Sequence, residues 1–568
     1  MRKEAYLVIV KVKAKWHMPH CLLERSRLFG DTKKSDFAVL CFLWFFATAI
    51  NFNKAFHVDD TVHLEIAKWI ISNPLHPMLG AINWSQNTAP FHQLNQPHLY
   101  FYLLAVFGWL FGFSELATHL FQSFFTLVCI VLTYLIAKIL VPRQALFATI
   151  LPLTSSAFVV GQNLMVDVPL LSFWLGFFYV LISSRITNES KRFLIAGAIA
   201  GLACLVKYSS LPLIFILPVY LIISKRPKLL WTLFMPIGIL LIWSLFNYLD
   251  YGAFHFLDRP INSFNVGKLA TMFLSWLICL GSVAVYVPIF LCEISINKSK
   301  LSATIRNFTF LILVLSLVVL LFASTGLISE FLVDKFLKLL FFCNGSIITL
   351  VLAYYFVVNS RPLLNGSNQP ILLSYLWFTS TAIFIVFFSP FMATRHVLLV
   401  LIPVTFILFY YSKGNSFPFW RNIGLGLSVA LTIALGLSDR SWANFYREKA
   451  ALIGRDLPKA NIYFAGHWGW QWYAKKAGMI QLESFNPQVK PGDYLVYPRG
   501  IDQQRLDLIA FPLRPHSKYI DKPSIFTFFK TDQGRFYSSN WNVLPWTVSK
   551  RPFDQIDVYK VLGPNRRF

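Results

Sequence analysis

Thirteen apolar runs constrain this chain more than any other feature. They lie near 37–52, 116–140, 144–160, 168–183, 193–209, 211–224, 229–249, 269–291, 307–328, 336–358, 371–391, 396–412 and 422–438. A bilayer core about 30 Å thick takes roughly 20 apolar residues in helical form. Backbone inside it must satisfy its own hydrogen bonds, so the runs are expected as helices. Composition agrees. Of 568 residues 56% are hydrophobic and 14% charged, against about 45–50% and 25% in soluble domains. An ordinary soluble enzyme and a disordered chain are excluded. The expected fold class is a polytopic α-helical membrane protein of about 13 transmembrane helices.

The net charge of +25 does not indicate nucleic acid. No RNA- or DNA-binding motif is present, and most Lys and Arg flank the apolar runs, where they orient helices in a bilayer. They also decide the ambiguous stretch 98–113. With the N-terminus cytoplasmic and 98–113 not crossing, the cytoplasmic segments hold 23 Lys and Arg. Eight lie outside up to the last run: Lys54, Lys68, Lys207, Arg259, Lys268, Lys335, Lys338 and Arg395. If 98–113 crossed, every later loop would invert and the asymmetry would collapse. The expected organisation is a cytoplasmic basic segment 1–36, a membrane domain 37–438 with a long outer loop 53–115, and an extracytoplasmic α/β domain 439–568. Within the last, Asn461–Ala465 and Asp493–Tyr497 read as strands and Gln471–Ala477 as a helix. The seven Cys form neither a CxxC site nor a disulfide framework. Residues 1–36 lack a cleavable signal pattern, so 37–52 reads as an uncleaved first span. The expected location is the inner (plasma) membrane.

Polar residues at the outer ends of the runs are the candidates for chemistry. The first outer loop opens His57-Val58-Asp59-Asp60-Thr61, followed by an amphipathic helix with Val62, Ile66, Trp69 and Ile70 on one stripe. Such a helix is expected to lie in the interface plane. One Asp is expected to cap it; both doing so is disfavoured, because adjacent side chains diverge. Further on, Gln96-Pro97-His98-Leu99-Tyr100 reads either as a turn into an aromatic belt or as a binding run. Asp167, before Pro169, lies between two apolar runs, where an acid is costly and often marks a site. Lys207-Tyr208 and Arg395-His396 interrupt apolar sequence at outer ends. They either snorkel to headgroups or seat a lipid-linked phosphate, which suits an Arg fork.

In their order, these motifs resemble the GT-C glycosyltransferases. The nearest likeness is to family 39, which includes protein O-mannosyltransferases and the bacterial aminoarabinose transferase of lipid A. The motifs cover roughly residues 37–410, and Tyr463–Gly469 is similar to a stretch in bacterial members. The resemblance implies a polyprenyl-phosphate sugar donor and an acceptor, both met at the outer membrane surface. It implies Asp59 as catalytic carboxylate, Asp60 as its acidic neighbour and Asp167 as a second-loop acid. Lys207, Arg395 and His396 would face the donor phosphate, and Gln96, His98, Tyr100 and Tyr208 the substrate. His98 stands where the family often has Pro, Gln96 where it often has Lys or His, and His119 where an Arg is common.

The chemistry fits on its own terms. Glycosyl transfer off a lipid phosphate needs a base for the acceptor and cations for the leaving phosphate, and a single displacement inverts the anomeric centre. No nucleotide-binding loop is present. A metal is a side expectation. His57, His63, His76, His92 and His98 crowd one loop, yet no HxxxH or HExxH spacing occurs. No cofactor is expected with certainty, and the sugar and acceptor are not specified. Two rival classes are a secondary transporter using Asp167 and Lys207 as coupling charges, which lacks the expected paired broken helices, and an envelope scaffold, which leaves the acids without a role.

Overall fold

A computed structural model describes residues 34–93, 96–258, 265–285, 315, 318–319, 321–323, 325–365, 368–411, 418–458, 460–521, 527–529, 536–538 and 543–563. The chain divides into two compact units, Met1–Val39 and Leu40–Phe568, and the second carries nearly all the described architecture.

Helix α1 (Lys34–Ala49) ends at the loop that leads to α2 (Asp60–Ser72). A short antiparallel ribbon, β1 (Ala81–Asn83) and β2 (Thr88–Pro90), precedes α3 (Leu99–Phe111). Helix α4 (Glu115–Leu140) starts at Ser114, whose hydroxyl accepts from the Ala117 N–H at 3.2 Å. Its 26 residues span about 39 Å, enough for a bilayer core. The run expected at 144–160 is not one helix. It breaks into α5 (Ala145–Leu153) and α6 (Ser156–Val159) at Ser155, whose backbone is extended with ψ 151°.

Next come α7 (Asp167–Ile182), α8 (Glu189–Val206), α9 (Leu211–Ile223), α10 (Phe234–Tyr251) and α11 (Val266–Val283). They are followed by α12 (Glu330–Leu364), α13 (Gln369–Phe388), α14 (Thr394–Tyr411) and α15 (Pro418–Asp456). Seven helical segments among the described residues are long and apolar enough to cross a membrane: α4, Pro227–Tyr251 ending in α10, α11, α12, α13, α14 and Arg421–Asp456 of α15. The expected span at 307–328 falls largely outside the described residues.

Burial separates the centre from the rim. In α14, 83% of the apolar window is buried, against 17% for Pro227–Tyr251. Helix α14 is therefore the core helix, whereas α10 turns Leu241, Ile242, Leu245 and Leu249 outward, as a lipid-facing helix does. In α3, Tyr100, Phe101 and Leu104 point inward while Val106, Trp109, Leu110 and Phe111 are exposed, the two-sided pattern expected of a helix lying against a membrane.

The chain ends in a five-stranded mixed sheet of order β4-β3-β5-β7-β6. The strands are β3 (Ile462–Phe464), β4 (Ile480–Gln481), β5 (Tyr494–Pro498), β6 (Leu513–Ile520) and β7 (Gln555–Val561), with α16 (Trp468–Lys476) crossing between the parallel β3 and β4. The strands expected at 461–465 and 493–497 are present. The helix expected from Gln471 starts three residues earlier, at Trp468. Position 439, where the outer domain was expected to begin, lies inside α15. The β1–β2 ribbon is tied to this sheet region. Thr88 donates from its backbone and hydroxyl to Glu483 at 2.9 and 2.6 Å, and Asn83 Nδ2 donates to the Leu482 carbonyl at 3.1 Å.

Candidate active site

The site begins where the chain leaves α1. Val58 has φ +49°, a region a β-branched residue rarely adopts, at a cost of order 1–3 kcal/mol. Asp59 occupies the N-cap position of α2, but its side chain makes no cap hydrogen bond. Its Oδ2 instead meets Arg395 Nη1 at 3.0 Å. Asp60 is fully buried. One of its oxygens accepts from the His57 N–H at 2.8 Å, the other from the Leu164 N–H at 2.9 Å. Neither Asp is therefore the side-chain cap expected from sequence. Burial pushes the Asp60 carboxyl up to about 7, against the two N–H groups that favour its ionised form.

Helix α2 turns its apolar stripe toward protein. Val62, Leu64, Ile66, Ala67 and Ile70 are buried, because α3 and α16 cover it. Thr61 donates to the Trp468 carbonyl at 2.6 Å. The fit depends on Gly469, where an added Cβ would lie 1.9 Å from the Phe56 carbonyl oxygen.

The loop before α7 and the ends of α8 and α14 complete the site. Asp167 opens α7, where a helix N-terminus favours an acid. Its Oδ1 accepts from Lys207 Nζ at 2.8 Å, and its Oδ2 lies 3.9 Å from Arg395 Nε. Lys207 is the C-cap of α8, and Arg395 is the second residue of α14. Asp59, Arg395, Asp167 and Lys207 thus form a chain of alternating charge. Arg395 also rests on Met165 Sδ at 3.1 Å and packs 5.5 Å from the Phe391 ring centre. Asp59 is the more open acid, with 23% of its side chain exposed against 9% for Asp167.

Beside Lys207, Tyr208 accepts from Trp243 Nε1 at 3.1 Å and shares a hydrogen bond with His255 Nδ1 at 2.9 Å. His396 packs against Phe391. Tyr100 is fully buried and donates to Gln122 and to the Leu164 carbonyl, so it shapes the loop before α7. The Oε1 of Gln96 and both ring nitrogens of His98 are enclosed without a hydrogen-bond partner among the described residues.

Sequence reading missed a buried network directly behind the acids. Lys54 pairs with Asp439 and donates to Asn163 Oδ1 at 2.5 Å. Tyr537 donates to Asp439 at 2.9 Å and accepts from Asn163 at 2.9 Å, while His57 Nε2 lies 3.6 Å from Asp439. Desolvation pushes His57 down to about 4, so its ring stays neutral. Lys54 and Asp439 each follow an apolar run, and that was the available signal. Their pairing across 385 positions of sequence was not readable.

The five histidines weighed as a side possibility for a metal diverge. His57 faces Asp439, His63 the Leu164 carbonyl at 2.7 Å, His76 Asp250 at 2.7 Å and His92 the Tyr251 ring, while His98 packs on Phe101. Among the described residues no three His, Cys, Asp or Glu side chains converge on a metal position.

Residues 95–248 match the family of dolichyl-phosphate-mannose-protein mannosyltransferases. The matched family is one of those that the motifs resembled. The matched segment contains Gln96, His98, Tyr100, Asp167, Lys207 and Tyr208, and leaves Asp59, Asp60, Arg395 and His396 outside it. No curated protein matches the sequence. Among solved structures, an oligosaccharyltransferase of Archaeoglobus fulgidus in complex with Zn and sulfate is similar at 12% identity and TM-score 0.43. The alignment covers 78% of this chain and 62% of that one, so this chain spans under two thirds of that protein. ArnT from Cupriavidus metallidurans bound to undecaprenyl phosphate is 13% identical with TM-score 0.38, over 94% and 99% of the two chains. The arabinofuranosyltransferase AftD from Mycobacteria is 10% identical with TM-score 0.39, over 93% and 40%.

Proposed function

We propose that this protein moves a sugar from a polyprenyl-phosphate donor to a lipid, glycan or protein acceptor at the outer face of the inner membrane, with inversion. The alternating array Asp59–Arg395–Asp167–Lys207 carries the reading. Two cations whose charge partners here are carboxylates can turn to an arriving phosphate. An Arg fork and a Lys ammonium then stabilise the charge that grows on the leaving phosphate as the sugar departs. The same exchange releases Asp59, the more open acid, toward the reacting carbon and the acceptor. Asp167 keeps both cations aligned, and Asp60 fixes the two outer loops against each other. His396, Tyr208 and His98 line the donor side. The family match over 95–248 supports the class of chemistry. In this reading 439–568 is the extracytoplasmic part that covers the first outer loop.

The test is mass analysis of envelope lipids and glycans from cells with the protein, without it, and with Asp59→Asn. One sugar modification should disappear with the protein. Asp59→Asn should remove most of it while the protein still inserts, since losing a catalytic carboxylate costs about 10²–10⁴-fold in rate. Unchanged envelopes in the deletion would sink the proposal. Arg395→Ala should weaken binding of undecaprenyl phosphate to the purified protein at least about tenfold, the loss of one charge-assisted contact.

A further inference from the structure

Each acid of the site already holds a partner. Asp60 is bonded at both oxygens by backbone N–H groups, Asp167 lies between Lys207 and Arg395, and Asp59 holds Arg395. Three histidines stand near these acids: His57, His63 and His396. His63 lies one turn after Asp59 on α2, with its backbone N–H on the Asp59 carbonyl at 3.2 Å, so the two side chains share a face of the helix. Its Nδ1 lies 2.7 Å from the Leu164 carbonyl oxygen. A carbonyl only accepts, so Nδ1 must carry the proton and Nε2 must hold the lone pair. Phe101 and Tyr100 pack on the ring at 4.9 and 6.0 Å and fix its plane. Nε2 makes no hydrogen bond among the described residues. The residue is buried, 3% exposed, but Nε2 is not one of the enclosed, unpartnered ring nitrogens, as both of His57, His98 and His119 are. The charges acting on the ring are Asp59, Arg395 and Asp167, with His98 behind it.

We propose, resting on the glycosyl-transfer reading, that His63 Nε2 is the base that takes the acceptor's proton, with Asp59 stabilising the imidazolium. In that step the acceptor oxygen or nitrogen bonds to the anomeric carbon, and its proton passes to Nε2. The bond from that carbon to the phosphate oxygen breaks, and its electron pair leaves with the polyprenyl phosphate toward Lys207 and Arg395. The imidazolium then returns its proton to solvent. Burial lowers the ring's proton affinity, which keeps the resting base neutral near pH 7.

Two substitutions separate this role from a structural one. Asn places an amide N–H close to where Nδ1 sits and can keep the bond to Leu164, but has no basic nitrogen. Gln reaches the Nε2 position and forfeits that bond. Isolated membranes holding endogenous donor and acceptor would be followed by mass spectrometry for release of polyprenyl phosphate from its sugar-linked form, across pH. Wild-type turnover should fall at acid pH. Both variants should lose about 10²–10⁴-fold, and the residual activity should lack that acid limb. His63→Asn turning over like wild type, with only His63→Gln impaired, would show a loop-holding role and overturn the assignment. No release by wild type would instead remove the glycosyl-transfer reading, and the base with it. Should neither variant fold, diethyl pyrocarbonate on the wild-type protein decides. His63 should be carbethoxylated while His57, His98 and His119 stay unreacted, and an unreacted His63 refutes an accessible Nε2.

Discussion

Asp59 and Asp60 are neighbours in sequence whose surroundings differ in kind. The first faces a guanidinium at a partly open position; the second is sealed and bonded by two backbone N–H groups. Their substitutions should therefore diverge. Asp60→Asn turns an N–H₂ group toward one of two backbone donors, which should cost about 1–3 kcal/mol, read as a lower melting temperature of the purified protein. Asp59→Asn should leave melting nearly unchanged. The Asp60 carboxyl also gives a pH signature. Its folded value of about 7 lies above the ordinary 3.8, so the folded chain binds that proton more tightly than the unfolded one. Its contribution to stability is most favourable at acid pH, declines as pH rises from about 4 to about 7, and is flat above. A melting-temperature profile of wild type minus Asp60→Asn should fall across that window. A flat difference would show that the two N–H bonds hold Asp60 ionised throughout.

At the scale of elements, helix contacts are set as much by absent side chains as by apolar ones. Helices α11 and α12 meet at Gly281 and Gly345, where an added Cβ would lie 1.9 Å from the Phe341 carbonyl oxygen and 2.0 Å from that of Leu277. Close backbone approach through small residues is a main source of helix association in lipid, where apolar burial gives little drive. Gly281→Ala should push the pair apart and cost about 1–3 kcal/mol, as overpacking does, with a matching drop in melting temperature. Gly238→Ala, on α10 with nothing within 4 Å, serves as the control and should melt like wild type. The β1–β2 ribbon is the other element whose place sequence did not supply. Read as loop, it is gripped by Leu482, Glu483 and Ser484, which binds the segment between α2 and α3 to the terminal sheet.

For the whole molecule, contacts between distant segments restrict topology. Asp60 touches Leu164, Asp167 touches Lys207 and approaches Arg395, and Lys54 touches Asp439. Residues in contact lie on one side of a membrane, so an even number of crossings separates each pair. If α3, α4 and the 145–159 segment each crossed once, Asp60 and Leu164 would lie on opposite sides. Either α3 or the 145–159 segment uncrossed meets the parity, and the Lys and Arg asymmetry is the reason to expect the first. A membrane-impermeant maleimide should therefore label a cysteine at Ser114 in intact cells, and one at Asn188 only after permeabilisation. Labelling of position 188 from outside would reverse the assignment.

The sequence by itself determined the class of molecule, because crossing a bilayer leaves its record in composition and run length, both local quantities. It also determined most helices, the strands at 461–465 and 493–497, and the acids and cations that meet: Asp59, Asp167, Lys207 and Arg395 are costly at run ends unless they have work to do. Tertiary structure alone decided what each touches. It placed Asp60 as a clamp, buried α2 beneath α3 and α16, dispersed five clustered histidines and paired Lys54 with Asp439. The physical reason is common to these cases. A pairing energy depends on distance and desolvation between segments hundreds of residues apart, and no local pattern in the chain encodes either.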